Sequence, residues 1–171
     1  GVEYIDDVLA KVQRHVSPDF SPTHSLDFGC GVGRLLLPLA EVSAEATGVD
    51  VSASMLAEAR KEAALRSKTN ITFIETGDCD DLPTDTYDFI HSFIVFQHMP
   101  VERGLSNFAA LLRILRPGGV AVLHFTFKDS QVSTLRRWKR RLPAARQRHN
   151  LRKGARLSQP AMQMNQYDLN Q

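Results

Sequence analysis

Apolar residues recur along this chain with two alternating periods, and each change of period marks a change of element. Val2, Ile5, Val8, Leu9, Val12 and Val16 stand three or four residues apart, which predicts an amphipathic helix over residues 1–16 rather than a leader peptide. Ser17, Pro18, Ser21 and Pro22 interrupt it, and residues 25–28 read as a first strand. A leucine-rich helix follows Gly33, with a kink expected at Pro38 because an interior proline opposes the helical ladder. Residues 44–49 form a second strand, and Ser52 caps a helix running through Met55, Leu56, Ala59 and Ala63 to about Arg66. Residues 70–75 make a third strand and 77–85 a loop. Residues 87–95 are the most apolar strand, as one covered on both faces must be. From Pro100, Leu105, Phe108, Leu112 and Leu115 mark a helical face that Pro117, Gly118 and Gly119 end, and residues 120–127 give a fifth strand. Strands alternating with helices imply right-handed crossovers, so the predicted fold is α/β with a doubly wound, mostly parallel sheet.

Beyond Phe127 the pattern fades. Val132, Leu135, Trp138 and Leu142 outline one apolar stripe that Pro143 stops, residues 144–154 hold little that can pack, and a short helix starts at Pro160. The expected organisation is a ligand-binding domain over residues 1–130 and a basic lid or linker over 131–171. Charge sharpens this division. Residues 1–135 hold 18 acids and 11 Lys or Arg, whereas residues 136–156 hold ten Lys or Arg and no acid, so the net +2 of the 171-residue chain hides a local basic tract. Its single aromatic, Trp138, is too few for a base-stacking series, which disfavours nucleic acid as a partner without excluding contacts to phosphates.

Composition adds limits. With 43% hydrophobic and 23% charged residues the chain suits one globular domain. No apolar run approaches the roughly 18 residues of a membrane span, so a cytoplasmic setting is expected. Cys30 and Cys79 have no histidines at metal-ligand spacing, and a disulfide between them would staple the predicted pocket, so free thiols and no metal are expected.

The candidate chemistry begins at Asp27-Phe28-Gly29-Cys30-Gly31-Val32-Gly33-Arg34. An apolar strand ends in an acid, and three glycines on alternate positions precede a helix. Such a bend lets backbone approach a ligand, but Arg34 occupies the place where a dinucleotide fingerprint needs its third glycine, which points away from NAD. In doubly wound sheets ligands bind outside the carboxyl ends of strands. Asp27, Asp50 and Asp78 stand at three successive predicted strand ends, and Ser92 with Phe93 ends the fourth.

Asp27 to Gly33 resembles motif I of the class I S-adenosylmethionine-dependent methyltransferases. The likeness extends over residues 25–127 through Gly48-Val49-Asp50-Val51-Ser52, the Gly77-Asp78 turn with Asp81-Leu82-Pro83, Tyr87-Asp88-Phe89-Ile90 leading to Phe96-Gln97-His98, and Leu115-Arg116-Pro117-Gly118-Gly119. It implies the Rossmann-like methyltransferase fold, S-adenosyl-L-methionine as cofactor, and a cofactor site of Asp27, Gly29, Cys30, Gly31, Gly33, Asp50, Val51, Met55, Asp78, Cys79, Ser92 and Phe93. In that reading Asp50 accepts from the ribose diol, and Asp78 with the Cys79 N–H meets adenine. Asp27 takes the cofactor's ammonium, while Val51 and Met55 pack on sugar and base. The plainer alternatives are a surface acid at a helix start for Asp50, a loop cap for Asp78, and core contacts for Val51 and Met55. His98 is the candidate base, or else a wall residue; His91 and His124 read as structural.

Ser92-Phe93-Ile94-Val95 lacks the acid or amide, two prolines and aromatic expected of an adenine or glutamine N-methyltransferase. The acceptor implied is therefore a small molecule, walled by Phe93, Val95, Phe96 and Met99. An alternative is a catalytically silent module that binds a partner or RNA through 136–156. Only 44 residues follow Phe127, and the family's usual last two strands are not apparent among them. With Gly1 in place of Met, this leads us to expect a fragment of a longer chain.

Overall fold

The computed structural model describes residues 1–126, Asn165 and Tyr167. The predicted lid with Trp138, the basic tract 136–156 and most of the helix expected from residue 160 lie outside the described residues. The sheet has five strands in the order β3-β2-β1-β4-β5, every neighbouring pair parallel. They are β1 (His24–Phe28), β2 (Glu45–Asp50), β3 (Ile71–Glu75), β4 (Tyr87–Ser92) and β5 (Leu115–Leu123). The chain builds outward from β1 through β2 to β3, then returns to place β4 on the other side of β1. Strand order therefore reverses between β1 and β4, which opens a crevice at their carboxyl ends.

Among the described residues, four α-helices flank the sheet: α1 (Val2–His15), α2 (Leu36–Val42), α3 (Ala53–Leu65) and α4 (Val101–Ile114). Helix α1 buries Ile5, Val8 and Val12, as its periodicity requires, against Leu35, Leu39 and Phe89. Ser52 caps α3, accepting from the Met55 N–H at 3.4 Å. No helix among the described residues is long and apolar enough to cross a membrane.

Asp88, only 2% exposed, ties the amino edge of the sheet together: its carboxylate accepts from the Thr23 and His24 N–H groups and pairs with Arg116 at 2.9 Å.

Three local expectations need correction. Pro38 causes no kink, because α2 starts only at Leu36. The proline then lies in the first turn, where a missing N–H costs the ladder nothing. Pro117-Gly118-Gly119 does not separate α4 from β5: Leu115 already pairs with Tyr87, and the next regular pair is Phe89 with Val120, so Arg116–Gly119 bulges out with Gly118 at φ 79°. The buried face of α4 carries Gly104, Asn107, Ala110, Leu111 and Ile114, whereas Leu105 and Leu112 are exposed. Tyr167 packs over this face at Gly104. Its hydroxyl donates to the Phe96 carbonyl at 2.9 Å and lies where a side chain at position 104 would begin.

Candidate functional site

Backbone bonds at the end of β1 fix the site. The Gly29 and Cys30 N–H groups both donate to the Val49 carbonyl, at 2.7 and 3.0 Å, so the bend is fastened to β2. Gly29, Gly31 and Gly33 all have positive φ, at 76°, 54° and 83°, which explains the alternate spacing. Gly29 is required sterically as well, since a Cβ there would run into Val95. The Asp50 carboxylate closes the arrangement, accepting from the Gly31 N–H at 2.8 Å through one oxygen and from the Ser52 N–H at 2.9 Å through the other. Each oxygen keeps a further lone pair, and Asp50 lines the adjacent cavity.

Two cavities meet along this edge, sharing Gly29 and Ile94 as walls. The larger, about 380 Å³, falls within the usual range of small-molecule pockets, roughly 300–1,000 Å³. It is lined by Phe28, Val49, Asp50, Val51, Val95, His98 and Met99 among others. The smaller, about 190 Å³, sets Asp27 and Arg34 among Cys30, Leu35 and Phe93. Ile94 has φ 62°, a conformation that costs a β-branched residue about 1–2 kcal/mol. Strain of this kind collects at ligand sites.

Asp27 is 2% exposed, and its Oδ1 lies 2.8 Å from Nδ1 of His91. The other ring nitrogen of His91 is 3.4 Å from the Tyr4 hydroxyl of α1. Burial, then the Asp27 and Asp50 charges, push the Cys30 thiol far up; burial, then Asp78 and Asp80, push Cys79 up to about 12. Both thiols are free and buried.

Asp27, Gly29, Cys30, Asp50, Val51, Phe93 and His98 thus all line the two cavities. Other sequence-predicted residues do not. Strand β3 ends at Glu75, so Thr76 and Gly77 line the larger cavity where Asp78 was expected. The Asp78 N–H donates to Thr76 Oγ1 and its side chain is exposed. Cys79 is sealed in the core at 0% exposure. Ser92 donates to the Phe28 carbonyl at 3.0 Å and braces β4 on β1, and Met55 stands on the exposed surface of α3. Gly31 and Gly33 shape the bend without lining either cavity, and Phe96, expected in the acceptor wall, is fully buried. Val95 and Met99 line the larger cavity. Arg103, which reaches the Gly77 carbonyl from α4, and Arg34 are lining residues that strand-end reasoning missed, since neither lies at a strand end.

The methyltransferase domain family matches residues 26–119, more than half of the chain. The chain belongs to this family. The methyltransferase resemblance read from the glycine bend is thereby borne out. A ubiquinone biosynthesis O-methyltransferase of Coxiella burnetii is 36% identical over 99 residues, 56% of this chain and 40% of that one. Among solved structures, magnesium protoporphyrin IX methyltransferase from Synechocystis with bound SAM is 28% identical with TM-score 0.60, covering 74% of this chain and 59% of that one. An amino pentose methyltransferase from Micromonospora echinaspora, also SAM-bound, is 26% identical with TM-score 0.59, covering 71% and 49%. The chain spans about two-fifths of the length of the curated relatives it matches.

Proposed function

We propose that this methyltransferase domain binds S-adenosylmethionine across the two cavities and directs its methyl group to a small-molecule acceptor. The Asp50 clamp carries the reading: a carboxylate fixed by two backbone N–H groups, with lone pairs left at the cavity wall, suits a vicinal diol. The donor set fits the rest of the cofactor. Asp27 beside Arg34 offers one charge of each sign to a zwitterionic amino-acid end, and Phe28, Val49 and Val51 offer apolar surface to a base. When bound, the cofactor supplies an activated methyl and its own leaving group.

What remains for the chain is approach geometry and exclusion of water, tasks that fall to the wall of Val95, Met99 and Ile94. His98 lines the same cavity, which supports it as the group that takes a proton from an acceptor that must lose one. Relatives named for quinone, sterol and porphyrin substrates support an apolar or aromatic acceptor. Calorimetric titration with S-adenosylhomocysteine tests the reading, with micromolar binding expected. No binding, together with salt-sensitive binding to a polyanion, would overturn it in favour of a silent module acting through residues 136–156.

A further inference from the structure

Tyr4 and His91 form a line with Asp27, and the methyl-transfer reading uses neither of them. Asp27 is the penultimate residue of β1 and lines the smaller cavity, His91 lies beside it on β4 at 0% exposure, and Tyr4 belongs to α1. The distances are 2.8 Å from His91 Nδ1 to Asp27 Oδ1 and 3.4 Å from His91 Nε2 to the Tyr4 hydroxyl. Tyr4 is held from its other side too, with its ring 4.9 Å from that of Phe93, which also lines the smaller cavity. We propose that His91 is a positioning residue for the amino-acid end of the cofactor: it fixes the Asp27 carboxylate through Oδ1 so that Oδ2 serves the cavity, and through Tyr4 it makes α1 part of the site.

The donor and acceptor roles follow from the neighbours. Ionised Asp27 only accepts, so Nδ1–H donates to it. That leaves Nε2 to accept from the Tyr4 hydroxyl, and the tautomer is set by both ends of the line. A buried carboxylate free to rotate would have to be ordered when a ligand arrives, whereas one already bonded through a single oxygen presents the other in a fixed direction. Tyr4 gives α1 its only described polar link to this end of the sheet, since the rest of the α1 contact there is Ile5, Val8 and Val12 in the apolar cluster.

The inference rests on the reading of Asp27 as the acceptor of the cofactor's ammonium, so the test separates the two. S-adenosylhomocysteine and 5′-methylthioadenosine share the nucleoside but differ in the amino-acid end, and the ratio of their affinities isolates the smaller cavity. The ratio is measured by calorimetry on the wild-type chain, Asp27→Asn, His91→Leu, His91→Asn and Tyr4→Phe, each checked for folding by thermal unfolding. Asp27→Asn is expected to lower the ratio about tenfold, the scale of one charge-assisted hydrogen bond. His91→Leu should lower it comparably, His91→Asn less because its amide can still donate, and Tyr4→Phe about two- to threefold, with binding of 5′-methylthioadenosine unchanged throughout. If His91→Leu does not fold, His91→Asn and Tyr4→Phe carry the test, since both keep polarity or shape. A ratio that falls in Asp27→Asn but stays at the wild-type value in the His91 and Tyr4 variants overturns the positioning role alone. A ratio unmoved even in Asp27→Asn overturns the ammonium reading and this inference with it.

Discussion

The two cavities at the carboxyl edge share Gly29 and Ile94 but are built in opposite ways. The larger is walled by separate side chains from several elements, most of them apolar and part-exposed, with Asp50 as its carboxylate. The smaller has its acid buried and already paired, through His91 to Tyr4, before any ligand arrives. On the proposed reading, affinity in the first comes from Asp50 and from many modest apolar contacts, each of the latter replaceable. In the second it is concentrated in one polar line whose parts fail together, because a buried group that loses its partner bears the full cost of desolvation.

The largest expected effect is on that line. Asp27→Ala leaves the His91 ring buried without its partner and should lower stability by about 2–4 kcal/mol, read from thermal or denaturant unfolding. A loss below about 1 kcal/mol would erase the difference between the cavities. The thiols come next. Burial raises Cys79 from 9.0 to about 12, and Cys30 is raised further beside Asp27 and Asp50. Below pH 9 both states keep these protons and stability is unaffected. Between 9 and 12 the unfolded chain releases them while the folded chain holds them, so stability should fall with pH by about 1 kcal/mol per unit for each thiol. Cys30→Ala should flatten that fall, which unfolding curves from pH 8 to 11 would show; an unchanged slope would contradict the raised Cys30 thiol. The smallest effect belongs to the apolar wall of the larger cavity. Val95→Ala should weaken binding of S-adenosylhomocysteine by less than about 1 kcal/mol, the cost of trimming one part-exposed contact. A tenfold loss in the same titration would mark Val95 as an anchor and contradict the picture of spread contacts.

Legibility in the sequence divides along a similar line. The glycine bend was readable because positive φ at three alternate positions leaves a mark in residue type, and Asp50 because it closes its strand. Asp78 stands outside the cavity lining for a local reason: β3 ends at Glu75, and the Asp78 N–H donates to Thr76 Oγ1 in the turn that follows. The face of α4 misled for a distant one. Gly104 and Asn107 look like surface residues, yet Tyr167 fills the space over Gly104, and Asn107 donates to the Gly77 carbonyl at 3.3 Å. Tyr4 and His91 are 87 residues apart and obey no periodicity relative to each other, so only the β1–β4 pairing and the seat of α1 bring them together.

The central claim is that the Asp50 carboxylate at the end of β2 holds the ribose of an adenosyl group, and it can be tested there directly. S-adenosylhomocysteine and its 2′-deoxy analogue can be titrated calorimetrically into the wild-type chain and Asp50→Ala. Wild type should prefer the intact ribose by about tenfold, and Asp50→Ala should bind both with nearly equal, weaker affinity, a loss of about 1–3 kcal/mol for the intact ligand. The same preference in both proteins would contradict the assignment of Asp50, and with it the account of the site.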